Sequence, residues 1–118
     1  GVGKAEIDNA SGGGIAALYD LKENCLGPAY SLYGSHQYFH HPDSKTPIKD
    51  ESLPFVTDAV NICKKAHSVL PFSKTFSWDV AISPTGPILI EVNAYPAVNF
   101  YQKLGANIIP SELRSSII

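Results

Sequence analysis

The sequence predicts an α+β fold, a mainly antiparallel sheet packed by helices, on three observations. Residues 75–83 and 87–93 alternate apolar and polar side chains with the two-residue period of strands, around a Pro84-Thr85-Gly86 turn. Residues 54–70 carry apolar side chains at steps of three and four, the period of a helix packed on one side. Residues 5–30 read as strand, glycine-rich turn, strand, a hairpin-like unit.

Taken in order, residues 5–9 form the first strand, 10–14 a flexible connection with three glycines, and 15–21 the second strand. Asn24, Gly27 and Pro28 should then turn the chain over residues 22–28 into a third short strand at 29–33. Residues 34–52 are polar, proline-bearing and histidine-rich with no sustained period, and are read as a long ordered loop. In the helix, Phe55, Val56, Ala59, Ile62, Cys63, Ala66, Val69 and Leu70 mark the apolar stripe, while Thr57, Asp58, Asn61, Lys64, Lys65 and Ser68 take the other face. Pro54 suits the first helical position, where its missing N–H costs nothing. Asp50 and Glu51 bring negative charge toward the N-terminus, and Pro71 stops the helix. Beyond the hairpin the chain reads as a loop over 94–96, a short helix over 98–104 ended by Gly105, and a weakly patterned tail.

Composition narrows the function. With 118 residues, 44% of them hydrophobic, the chain has enough apolar material for one core and is read as one folding unit. Net charge is −2 and the nine Lys/Arg are scattered, so neither nucleic acid nor an anionic membrane has an electrostatic footprint here. No apolar run approaches the roughly 18–20 residues of a membrane span, and no basic-then-apolar leader opens the sequence, so a cytoplasmic protein is expected. Cys25 and Cys63 lack CxxC spacing and are expected to be reduced thiols in ordinary packing. Because the text opens on Gly1-Val2-Gly3-Lys4 rather than a methionine, the chain is expected to be a piece of a longer one.

The hairpin carries the chemistry. Phe76, Trp78, Val80 and Ile82 fall on one face of the first strand and Ser77, Asp79, Ala81 and Ser83 on the other. In the second strand Ile88, Ile90 and Val92 oppose Leu89, Glu91 and Asn93. Trp78 is assigned to the core. Read as a three-residue loop, a type I turn followed by Gly86 in a bulge, Pro84-Thr85-Gly86 pairs Ser83 with Pro87 and puts Asp79 opposite Glu91. A two-residue loop would shift the register by one and separate the two acids. In the first register Asp79 and Glu91 have Cβ atoms about 5 Å apart, with the Asn93 amide on the same face. Two carboxylates and an amide are hard oxygen donors without the imidazole or thiolate that zinc favours, so Mg²⁺ or Mn²⁺ shared with phosphates is the expected occupant. The bland alternative is that both acids solvate an exposed hairpin. Gly12, Gly13 and Gly14 could let backbone N–H groups approach a phosphate, with Asn9 adding a side-chain contact, or could simply form a flexible turn. His36, His40 and His41 are read as solvated or as structural hydrogen-bonding groups, with substrate contact the minority reading.

Asp79, then Glu91-Val92-Asn93 and Ala94-Tyr95-Pro96, resembles the metal-binding signature of ATP-grasp enzymes, an Asp on one strand and Glu-x-Asn on the next before a proline turn. The upstream Asp8-Asn9-Ala10-Ser11-Gly12-Gly13-Gly14 resembles the Asn-x-x-x-Gly-Gly segment of ligases in that superfamily. The sugar-transfer-associated branch, similar to alpha-L-glutamate ligase-related proteins, is nearer still. Its pattern is matched by His41-Pro42, Pro54, Trp78-Asp79-Val80-Ala81, the run from Gly86-Pro87 to Asn93, and Gln102, over residues 4–104. The departure is Ala97, where the family usually has Gly after the turn proline.

The resemblance implies that residues 1–118 are the C-terminal, metal-binding portion of an ATP-grasp domain, with the N-terminal portion that supplies lysines and the adenine site absent. It implies that Asp79 and Glu91 bind the ions, that Glu91 bridges them and that Asn93 completes the second site. It further implies ATP and Mg²⁺ or Mn²⁺ as cofactors, and a carboxylate-amine ligase acting through an acyl phosphate on small-molecule or sugar-linked substrates in polysaccharide or cell-surface glycan biosynthesis. The isolated piece is expected to be inactive, its partner being the missing half of the same chain. The alternative is a non-catalytic remnant that binds or oligomerises, as a homodimer across a bare sheet edge.

Overall fold

The computed structural model of the chain describes residues 2–3, 12–70 and 72–94, which belong to two units, one ending at Ser52 and the other beginning at Leu53. The strand expected at 5–9, most of the loop at 94–96 and the helix expected at 98–104 lie outside the described residues.

In the first unit, strand β1 (Ile15–Asp20) pairs antiparallel with β2 (Cys25–Ser31), and the two-residue β3 (Gln37–Tyr38) pairs with the other edge of β2. β2 therefore starts well before the expected residue 29, and Gly27 and Pro28 sit inside it. The register explains how. Ala17 pairs with Ala29 and Tyr19 with Leu26, so Gly27 and Pro28 together oppose Leu18 alone. The pair is a β-bulge, a place where a strand tolerates proline because the ladder is already interrupted.

The actual turn is residues 21–24, built by Asp20. Its Oδ1 accepts the backbone N–H of Lys22 at 2.8 Å and of Glu23 at 3.1 Å. Those two bonds, Glu23 first, hold the Asp20 carboxyl below its ordinary range. Asn24 closes the turn at φ 56, a left-handed conformation that Asn tolerates, and accepts the Tyr19 hydroxyl at 2.7 Å.

The loop expected over residues 34–52 is interrupted by β3, which falls inside it, and the segment after β3 is ordered. His40 bridges to Pro47, and the His41 N–H donates to the Thr46 carbonyl at 2.8 Å. The far end returns to β2, where Leu26 donates to the Glu51 carbonyl and accepts from the Asp50 N–H, both at 2.8 Å. Ala29 at the centre of this sheet, facing Ala17 and Tyr38 across the ladders, is the fully buried hydrophobic residue among those described, 1% exposed.

The second unit joins one helix to one hairpin. Helix α1 (Val56–Ser68) shows the expected stripe along its body, with Val56, Ala59, Ile62, Cys63 and Ala66 half-buried and Asp58, Asn61, Lys64 and Lys65 exposed, whereas Phe55 and Val69 at its two ends are exposed and not part of it. Its ends differ from expectation. Phe55 is the N-cap, so the helix begins two residues after Pro54 rather than at it. Phe55 takes φ 59 and offers no side-chain hydrogen bond. The acid in the first turn is Asp58. Asp50 and Glu51 belong to the preceding unit, where Asp50 accepts the Lys49 ammonium at 2.7 Å. The helix closes with Val69 and Leu70 donating to carbonyls three residues back, and Val69 itself is 72% exposed.

Strands β4 (Ser77–Ser83) and β5 (Gly86–Asn93) form the antiparallel hairpin against which α1 packs. His67 in the last helical turn sets its ring edge-on to Phe76, centroids 4.8 Å apart, and its Nε2 lies 3.1 Å from the Ser73 carbonyl. Phe76 also meets Phe72 at 5.2 Å and Trp78 at 5.9 Å, a run of rings tying the helix end to the start of β4. Trp78 is half-buried in this cluster rather than enclosed.

Candidate metal centre

The hairpin register decides what the acids can do. Ser83 pairs with Gly86, Ile82 with Pro87, Ala81 with Ile88 and Val80 with Leu89. The loop is therefore Pro84-Thr85, two residues and not the expected three. Ser83 builds it by donating its hydroxyl to the Gly86 carbonyl at 2.8 Å and accepting the Thr85 N–H at 3.2 Å. Carried on unbroken, that register would put Glu91 opposite Trp78. It does not continue unbroken. Between Val80 and Asp79 the ladder steps by one, leaving Ile90 without an opposite residue, and Asp79 then pairs with Glu91, Trp78 with Val92 and Ser77 with Asn93.

The bulge at Ile90 thus restores the pairing that the shorter loop would have cost. It also changes which apolar residues face where. Leu89 shares a face with Val80 and Trp78, the half-buried side toward α1, whereas Ile88 shares the outer face with Ala81 and is 51% exposed. The expected grouping of Leu89 with Glu91, and of Ile88 with the inner residues, is corrected accordingly.

Asp79, Glu91 and Asn93 share the outer face, as expected. Asp79 and Glu91 are directly opposed, Asn93 is one pair further along, and all three are exposed. Among the described residues no Lys, Arg or His forms an ion pair with either acid. Like charges in opposed positions repel, so a cation between them is stabilising. Two carboxylates and an amide oxygen match a hard, oxygen-seeking divalent ion, so the residues present fit Mg²⁺ or Mn²⁺.

Gly86 fixes the start of β5 at φ 137, and a Cβ there would meet no atom within 4 Å. The demand for glycine is conformational rather than steric. Gly86→Ala should cost about 1–3 kcal/mol of stability, read as a lower urea midpoint, because a side chain must be held in backbone space that non-glycine residues avoid.

The remaining candidates separate. Gly12 and Gly13 form an exposed turn with Gly13 at φ 91, and Gly14 is buried at the start of β1. Asn9 lies outside the described residues. His41 is structural, its Nδ1 accepting the N–H groups of Asp43 at 3.2 Å and Ser44 at 3.3 Å, while His36 stacks edge-on with Tyr38 at 4.6 Å. Cys25 and Cys63 are free thiols, and burial pushes the Cys63 thiol up, away from thiolate reactivity. Among the described residues no three His, Cys, Asp or Glu side chains gather as a metal cluster, so an ion between Asp79 and Glu91 would need another kind of third donor, and the Asn93 amide is on the same face. No helix is long and apolar enough to cross a membrane among the described residues.

Sequence reasoning missed Ile90 and the Ser83 hydroxyl. Ser-Pro at the turn was the available signal for Ser83. No signal marks Ile90, since Ile88-Leu89-Ile90 is a run without alternation.

No curated protein and no solved structure matches the chain. The family model for sugar-transfer associated ATP-grasp matches residues 1–114, and with the Asp79 and Glu91-Val92-Asn93 hairpin inside that span, the chain belongs to the sugar-transfer associated ATP-grasp family.

Proposed function

We propose that this chain supplies the cation-binding wall of an ATP- and Mg²⁺-dependent carboxylate-amine ligase, acting on a sugar-linked carboxylate or amine in polysaccharide or cell-surface glycan synthesis. ATP-grasp proteins are generally ATP-dependent ligases, and the observation that carries the reading is the Asp79–Glu91 cross-strand pair with Asn93 on the same face. Glu91 has two oxygens and sits between Asp79 across the ladder and Asn93 along the strand, a position suited to bridging two ions. Asp79 would hold one of them and Asn93 the other. When bound, the cations neutralise the triphosphate and the transferring phosphoryl group.

The chemistry asks for no covalent nucleophile from the protein. A substrate carboxylate oxygen attacks the γ-phosphorus, the bond to the β-phosphate oxygen breaks, and ADP leaves. The amine nitrogen then attacks the acyl carbon, loses a proton and expels phosphate. Backbone N–H groups of Gly12 to Gly14, with the Asn9 side chain, are the phosphate contacts in this reading. The rest of the nucleotide site belongs to a portion N-terminal to this sequence, so residues 1–118 alone bind ATP weakly and make no ADP.

The test is trapping. The intact enzyme given ATP, Mg²⁺, a panel of sugar-linked carboxylates and hydroxylamine should release ADP and form a hydroxamate. Release of AMP and pyrophosphate instead would point to an adenylate and overturn the acyl phosphate.

A further inference from the structure

We infer that the extra residue Ile90 is a positioning residue, inserted in β5 to set the angle at which Glu91 leaves the sheet; this rests on the metal-centre reading above. Three observations lead here. The register step lies immediately beside the acid pair, between Asp79 and Val80 on one strand and around Ile90 on the other. Ile90 is 65% exposed, so its side chain is not what the bulge serves. And the bulge is dispensable for pairing. A strand lacking Ile90 would run Leu89-Glu91 without interruption and pair Val80 with Leu89, Asp79 with Glu91 and Trp78 with Val92, the same partners on the same faces.

The insertion thus adds no partner, corrects no face that a shorter strand would lose, buries little, and interrupts the ladder. What it does change is local geometry. A bulge bends its own strand and raises the local twist, and here the bent strand is the one carrying Glu91. In a flat ladder two directly opposed carboxylates leave the sheet side by side, about 5 Å apart at Cβ. Added twist at Ile90 rotates Glu91 relative to Asp79, which would let one Glu91 oxygen serve an ion held with Asp79 and the other an ion held with Asn93.

Mn²⁺ binding, read by electron paramagnetic resonance, and melting without metal test this in the intact protein and three variants: Glu91→Gln, deletion of Ile90, and Ile90→Gly. Deleting Ile90 should weaken Mn²⁺ binding by about tenfold, the scale of losing a group that orients a ligand, with metal-free melting unchanged or higher because the ladder is now continuous. Ile90→Gly keeps the residue but loosens the backbone, and should lower Mn²⁺ affinity several-fold. Deletion and glycine variants that both bind Mn²⁺ as the parent does, while Glu91→Gln does not, would overturn the positioning role and leave the metal centre standing. A deletion variant that fails to fold would likewise overturn it, by making the bulge a folding element. Unchanged Mn²⁺ binding in Glu91→Gln would overturn the metal centre itself, and the positioning role with it.

Discussion

Glu91→Gln in the intact enzyme should lower ATP turnover at saturating Mg²⁺ by at least about a hundredfold, the upper range for groups that merely orient metal ligands. The substitution keeps the shape of the side chain and removes its charge. If Glu91 bridges two ions, both sites weaken together, whereas Asp79→Asn should mainly harm one and Asn93→Ala the other. Stability should move the opposite way. Glu91 stands directly across from Asp79 on an exposed face, so removing one charge relieves a repulsion of up to a few tenths of a kcal/mol and leaves the metal-free melting temperature equal or slightly higher. The two readings separate the alternatives. A variant with near-normal turnover would remove Glu91 from catalysis, and one that unfolds would make it structural.

The hairpin shows both what the sequence made legible and what it hid. Unbroken alternation from Phe76 to Ser83 fixed the face of Asp79 within β4, and the Glu-x-Asn spacing put Glu91 and Asn93 on one face of β5. The meeting of those two faces, however, was reached through a three-residue loop that the hairpin does not have. The route to that face was not legible. Pro84-Thr85-Gly86 suits a loop of either two or three residues, and the extra residue that reconciles register with loop falls in Ile88-Leu89-Ile90, where every position is apolar. A bulge at Gly86 or at Ile90 gives the same acid pair, and only the facing of Ile88 and Leu89 distinguishes them.

Elsewhere the misreadings share a cause, one residue type serving two backbone purposes. Gly27-Pro28 is turn chemistry by composition, yet here it is a bulge within β2 because Asp20 had already closed the turn with its own carboxylate. Pro54 reads as a helix opener, but the chain reverses at Phe55 in a left-handed conformation that a bulky aromatic seldom takes and that no local pattern announces. The helix body, by contrast, was readable, because thirteen residues of 3.6 periodicity leave one face half-buried and the other wet.

Ala29→Asp should be the most damaging single change in the first unit, costing several kcal/mol at neutral pH. Ala29 lies on the central strand, 1% exposed, between Ala17 and Tyr38, and no cation stands opposite it in either pairing. A carboxylate there loses its hydration without gaining a partner, and that penalty falls on the ionised form. The folded-state pKa is therefore raised above the unfolded value of about 3.9. Between those two values the folded state holds the extra proton, so stability falls as pH rises through that window and the full loss is present above the folded pKa. Amide hydrogen exchange in β1 and β2 reads this directly. Protection should drop sharply at pH 7 and recover in part toward pH 4, where the side chain is neutral in the folded state and about half protonated in the unfolded one. Ala29→Leu tests the steric half of the same environment. With no charge to titrate, it should cost about 1–3 kcal/mol from overpacking at either pH. Equal protection for Ala29→Asp at the two pH values would mean that the site admits water, and that the centre of this sheet is held by its ladders rather than by exclusion of solvent.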